Sequence, residues 1–236
     1  DYFSYNPSAE QIKEVDFLAK KIIPEIIFQS ELDNKRANKN SAWFANYNNI
    51  FKISNRLSLK TNLYYIHDKI TSTQFFENNN FIDSQQILTS DNYNIEKQPT
   101  QYRGDVEIKY NSSKNSLIEY KLKVSQESIN TVTDVLQNKA TNYQTELQTK
   151  DFKFKQSLLF TQKISEKKAL QILFNHSSNN IPQNYFLTPS VYDPLIYTSD
   201  NQFSNFRKNI ASVQSIFLGS TAKTKYTFSI GSSFEE

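Results

Sequence analysis

The chain has 236 residues, 37% hydrophobic and 14% aromatic, with a formal net charge of +3 from 27 basic and 24 acidic side chains. A charge this balanced, with no Lys/Arg-rich block, argues against nucleic acid as a partner. The absence of cysteine excludes a disulfide framework and a thiolate metal site, and three glycines exclude collagen-like and linker-like chains.

No run approaches the 18 apolar residues of a membrane-crossing helix. The chain opens at Asp1 and contains no methionine, which points to a processed or excised segment. Residues 1–41 form an N-terminal segment. Ser8 is placed to cap a helix over 9–22, with Ile12, Val15, Ala19 and Ile22 near one face and Pro24 beyond its end. Ile26, Phe28, Ser30 and Leu32 then alternate as a strand over 25–33.

From Trp43 the period is two. Trp43, Ala45, Tyr47, Asn49, Phe51 and Ile53 share one face. After Ser54-Asn55-Arg56, Leu57, Leu59, Thr61, Leu63 and Tyr65 return on that face opposite Ser58, Lys60 and Asn62, giving a hairpin over 43–71. The clearest hairpin spans 102–125. Tyr102, Gly104, Val106, Ile108 and Tyr110 alternate with Arg103, Asp105, Glu107 and Lys109. Ile118, Tyr120, Leu122 and Val124 alternate with Glu119, Lys121 and Lys123. A five-residue turn at 112–116 sets Ile108 against Tyr120 and Val106 against Leu122. It also pairs Lys109 with Glu119, Glu107 with Lys121 and Asp105 with Lys123. A one-residue slip would destroy both the charge pairs and the apolar face.

A third hairpin spans 152–176. Phe152, Phe154, Leu158, Phe160 and Ile164 turn at Ser165–Ala169 into Leu170, Ile172 and Phe174. A fourth spans 206–234, with a turn near Ser220–Lys223. The consecutive Ile216, Phe217 and Leu218 break its alternation, which predicts a β-bulge. Between the hairpins the spacing predicts long loops over 72–101, 126–142 and 176–205. Short turns then fall at one end and long loops at the other, as in outer-membrane barrels. The expectation is an all-β, antiparallel up-and-down meander of about 8–10 strands, a transmembrane β-barrel or part of one.

In such a barrel Val106, Ile108, Tyr110, Ile118, Tyr120 and Leu122 face lipid, and Arg103, Asp105, Glu107, Lys109, Glu119, Lys121 and Lys123 face the lumen. Lys52, Lys60, Lys153, Lys155 and Lys163 join the lumen side. A positively lined lumen favours anionic solutes, unless the lysines are neutralised across the ladder. Tyr185, Phe186, Tyr192 and Tyr197 on the last long loop are candidate ligand contacts, set against packing of that loop on itself. No phosphate loop, nucleophile elbow or zinc motif is present, and His67 and His176 stand far apart. No catalytic role, cofactor or metal is therefore expected.

Three stretches resemble barrel segments of TonB-dependent-receptor-type outer-membrane proteins of the Bacteroidota. They are Trp43-Phe-Ala-Asn-Tyr-Asn-Asn-Ile-Phe-Lys-Ile-Ser-Asn-Arg-Leu-Ser-Leu-Lys-Thr-Asn-Leu-Tyr-Tyr, Gln101-Tyr-Arg-Gly-Asp-Val-Glu-Ile-Lys-Tyr and Ile181-Pro-Gln-Asn-Tyr-Phe-Leu. The resemblance is one of texture and spans residues 40–236. The family's plug domain and energy-coupling box are not among these residues. Glu235 and Glu236 follow Phe234 where a complete barrel ends on an aromatic strand. The resemblance thus implies an internal piece of a nutrient-uptake barrel in the bacterial outer membrane. Its partners would be membrane lipid, the remainder of the barrel, a plug domain and an energy-coupling protein. The rival expectation is a soluble β-rich binding or adhesion domain, whose apolar face is buried on a second sheet.

Overall fold

A computed structural model describes residues 39–82, 85–190, 198–221 and 224–236. The expected helix over 9–22 and strand over 25–33 lie outside the described residues, as do Tyr192 and Tyr197. The described residues form one antiparallel sheet. Its strands are β1 (Lys39–Asn40), β2 (Trp43–Lys52), β3 (Leu57–His67), β4 (Ile70–Ile82), β5 (Gln85–Ser113), β6 (Ser116–Gln137), β7 (Thr141–Ser165), β8 (Lys168–Thr188), β9 (Asp200–Ser220) and β10 (Lys225–Glu235). Each pairs with its successor in meander order from β5 to β10.

β3 and β4 lie end to end along β5, because His67 pairs with Thr100 and Ile70 with Lys97. The break falls opposite Pro99. Asp68 donates its N–H to the Pro99 carbonyl at 2.9 Å, but proline has no N–H to return. β1 and β2 continue past β4 and β3 in the same way. Ser41 and Lys69 exchange both backbone hydrogen bonds between them, at 3.0 and 3.3 Å.

The central hairpin has the expected register. Ile108 pairs with Tyr120, Val106 with Leu122, Lys109 with Glu119, Glu107 with Lys121 and Asp105 with Lys123. The turn differs in detail. Lys114 and Asn115 alone form it, and a register irregularity between Asn111 and Ser113 takes up the extra residue. β7 and β8 repeat this plan, with an irregularity between Lys163 and Ser165 before Glu166-Lys167. The Ser54, Ser113 and Ser165 hydroxyls each accept a backbone N–H two residues on, and Thr221 accepts that of Thr224. In a chain so poor in glycine, hydroxyl side chains stabilise these turns.

Three expectations are corrected. Among the described residues, the spans 72–101, 126–142 and 176–205 are mostly strand and not long loops. Most of them extend the strands, so that β5 reaches 29 residues and β7 25. Asn, Gln, Thr and Ser fill these extensions and hide the alternation. Their polar side chains suit a strand whose outer face is wet as well as they suit a loop. β6 turns into β7 through Asn138-Lys139-Ala140 alone, with φ of 52° at Asn138 and 57° at Lys139. Two left-handed residues in succession are the type I′ geometry whose twist matches a hairpin. Lysine is strained there, so Lys139→Gly is expected to stabilise the fold by about 1 kcal/mol, read from the urea midpoint. Tyr185 and Phe186 lie within β8 and not on a loop. Finally, β9 carries no bulge at Ile216–Leu218, since its pairing with both β8 and β10 runs unbroken there.

A flat single sheet would bury neither face. Here every buried apolar side chain among the described residues lies on the face that carries Lys109 and Glu119. Ile181 and Ile216, at 1% exposure, are the most enclosed. The sheet therefore curls toward that face, and its side chains bury one another. Ile216, Leu218 and Ala169 form a small apolar cluster there, which accounts for the three consecutive apolar residues. The β1–β2 row and β10 are the two edges, so the described sheet is an open part of a curved wall.

Candidate functional site

The distinctive surface is the outside of the curve. Following the register from strand to strand, one face collects Trp43–Phe51 of β2, Leu57–Tyr65 of β3, Tyr102–Tyr110 of β5, Ile118–Val124 of β6, Phe152–Phe160 of β7, Leu170–Phe174 of β8, Ala211–Phe217 of β9 and Tyr226–Phe234 of β10, every second residue counted. Within this belt Asn49, Thr61, Gln156, Ser215 and Ser232 are the polar side chains. The exposed large apolar residues sit on this face, apart from Phe44, Ile50, Phe76, Ile87 and the bulged Ile164. Ile230, Trp43 and Phe228 are 78%, 74% and 67% exposed, which a water-facing sheet would not tolerate in so continuous a patch.

On β2, β3, β5, β7 and β10 the belt is nine residues long, which at about 3.3 Å each cover about 26 Å between first and last Cα. On β8 it narrows, with His176, Ser178 and Asn180 opposite Gln156, Phe154 and Phe152. Beyond the belt the same face of β5 to β7 turns mainly polar, although Phe75 and Phe81 of β4, Leu88 of β5 and Phe203 of β9 stay exposed there. It carries Asn92, Asn94, Glu96 and Gln98 on β5, Ser128 and Asn130 on β6, and Gln144, Glu146, Gln148 and Lys150 on β7. There Lys69 Nζ stands 2.9 Å from Glu96 and holds that carboxyl below its ordinary range by hydrogen bonding.

Gly104 opens a groove of about 550 Å³ in the belt, walled by Tyr47, Leu63, Tyr65, Tyr102 and Phe152. A Cβ at 104 would meet Leu63 Cδ2 at 3.2 Å. At the turn end Tyr226 lays its ring over Gly219, its ladder partner, and packs against Phe217 and Phe228.

The inner face is charged across the same height. Lys109 Nζ bridges Glu119 at 2.8 Å and Glu107 at 3.3 Å, and Lys60 reaches Glu107 at 3.7 Å. Arg103 pairs with Asp105 at 3.0 Å and lies over the Tyr64 ring at 5.9 Å. Lys153 pairs with Asp151 at 2.9 Å. The pairing is thus partly along strands, where the sequence suggested only cross-strand pairs. Of the three expected, Lys109–Glu119 makes a direct ion pair. Asp105 takes Arg103 two residues away instead of Lys123, because the guanidinium reaches both carboxylate oxygens at 3.0 and 3.2 Å.

The two faces separate the expected groups cleanly. Val106, Ile108, Tyr110, Ile118, Tyr120 and Leu122 share the outer face. Arg103, Asp105, Glu107, Lys109, Glu119, Lys121 and Lys123 share the inner one. Tyr185 is on the inner face of β8 and Phe186 on the outer. His67 lies 2.8 Å from the Thr100 hydroxyl on β3–β5, while His176 packs on Phe154 of β7, so the fold does not bring the histidines together. Sequence reasoning missed the Gly104 groove and the inner apolar cluster. The signal for the cluster was Ala169, Leu173, Ile216 and Leu218 at charged-face positions.

No family model matches the chain, and no curated protein does. Among solved structures, one described as the structure of the RagAB peptide transporter is similar, with a TM-score of 0.55 at 12% identity over 83% of this chain. This chain spans 28% of that one. At such identity the likeness is one of fold: a curved antiparallel β-meander, part of a larger chain in the matched structure.

Proposed function

We propose that this chain is a section of the wall of an outer-membrane transport barrel of the TonB-dependent-receptor type, with the apolar belt facing lipid and the charged face lining the passage. The observation that carries this reading is the belt itself. On β3, β5 and β7 it is apolar over about 26 Å, and on β5 to β7 the same face is mainly polar beyond. A transmembrane strand needs about 9–11 residues, and an outer-membrane barrel shows an apolar band of about 25 Å. A soluble sandwich has no reason to end its apolar face at about one height on β3, β5, β6 and β7 together. The fold likeness to a transporter chain supports the reading.

The strands continue far past the belt, so most of β5 to β8 would stand outside the bilayer as a tall collar. The unpaired edges at β2 and β10 join the remainder of the barrel, because backbone N–H and C=O groups facing lipid must be paired. On this reading the activity is passage of a nutrient solute, coupled through a plug and an energy-transducing partner supplied outside these residues.

Cell fractionation tests it. The protein is expected in the outer-membrane fraction, resistant to carbonate and urea washes and shifting in electrophoretic mobility on boiling. Recovery in the soluble fraction would refute the reading.

A further inference from the structure

Beyond the belt the inner face changes character. Val135 of β6, 4% exposed, is flanked in the ladder by Tyr93 of β5 and Tyr143 of β7. Phe76, the β4 partner of Asp91, sets its ring edge-on to Tyr93 with centroids 5.7 Å apart. The Tyr93 hydroxyl donates to Asp91 Oδ2 at 3.4 Å, while Asp91 Oδ1 is buried without a hydrogen-bond partner. Gln74, Thr89, Thr133, Gln137 and Thr145, the nearest ladder neighbours on this face, are uncharged. The lysine–carboxylate pairs of the inner face belong to the belt region, and the Lys69–Glu96 pair lies on the outer face.

Burial, and then the Asp91 charge, push the Tyr93 and Tyr143 hydroxyls above their ordinary pKa; Tyr185 adds to the effect at Tyr143. The phenols therefore stay neutral beside the Asp91 carboxylate. A carboxylate with one oxygen left without a hydrogen bond, beside aromatic rings, attracts positive charge twice over, by Coulomb attraction and by the ring quadrupoles.

We propose that Phe76, Asp91, Tyr93 and Tyr143 form a seat for an organic cation, the ammonium or guanidinium group of a solute held at the outer mouth of this wall. This rests on the reading that the inner face lines the passage. A neutral sugar could stack on the same rings and donate a hydroxyl to Asp91, but it would bring no positive charge to offset the carboxylate.

The test uses the membrane-embedded protein, titrated calorimetrically with Nα-acetylarginine amide and with Nα-acetylcitrulline amide, its uncharged isostere. The arginine probe is expected to bind saturably and at least tenfold more tightly than the citrulline probe. Asp91→Asn should weaken it tenfold or more. Tyr143→Phe, which keeps the ring, should bind as the parent does, and Tyr143→Leu should lose about 2- to 30-fold. Equal binding of the two probes, unchanged binding in Asp91→Asn, or no saturable binding of Nα-acetylarginine amide overturns the seat. The outer-membrane reading stands or falls separately, on fractionation and on lipid contact of the belt.

Discussion

Val106→Lys is expected to destabilise the membrane-embedded protein by about 2–4 kcal/mol, the range for a cation at the bilayer midplane on the lipid face of a barrel. Val106 sits midway between Tyr102 and Tyr110 on β5, with Thr61 and Leu122 beside it on the outer face. A lysine there has no inner-face carboxylate within reach, because Glu107 and Asp105 point through the sheet to the other side. Gln126→Lys, on the same face at the polar boundary, should cost at most about 1 kcal/mol. The gradient between the two positions, read from urea unfolding in liposomes, is the informative quantity. Similar losses at both depths would point to a protein-packed face, whose penalty has no reason to follow a membrane coordinate.

Ile216→Ala is expected to cost about 2–5 kcal/mol, the usual range for truncating an enclosed aliphatic side chain. Ile216 is 1% exposed and packs with Ala169 and Leu218 on the inner face, in a wall with no second layer among the described residues. Its loss leaves a cavity that the paired strands β8 and β9 cannot close. Val213→Ala, on the outer face of the same strand and 50% exposed, should cost under about 1 kcal/mol, since lipid fills the space it vacates. Comparable costs at the two sites would contradict the curl of the sheet toward its charged face.

The belt region was legible in the sequence, and the collar was not. Between Tyr102 and Val124 an apolar residue alternates with a charged one, so period, register and face follow from the same residues. The five-residue turn and the observed two-residue turn with a bulge give the same register, which is why the pairing was right although the turn was not. Past the belt the outer face becomes mainly polar, as along Asn92, Asn94, Glu96 and Gln98, and the inner face mixes Thr and Gln with its apolar residues, so the hydropathy period fades. The loop assignment failed there for that reason. With it was lost the seat at Asp91, Tyr93 and Tyr143, which only the ladder through Val135 brings together. The triplet Ile216-Phe217-Leu218 misled in the opposite sense. It suggested a bulge because an apolar residue on the charged face was unexpected, yet curvature makes part of that face a place to bury one.

The most direct test is a nitroxide scan of residues 102–110 in lipid bilayers, one cysteine at a time, which the absence of native cysteine makes clean. Collisional access to oxygen, which concentrates in the bilayer, should be high at 102, 104, 106, 108 and 110 and low at the residues between. It should peak at 106 and give way to access by a water-soluble nickel chelate at 98 and 100. A scan showing uniform access along the strand, or protection from oxygen at the even positions, would mean that the apolar face is covered by protein and that the wall does not face a membrane.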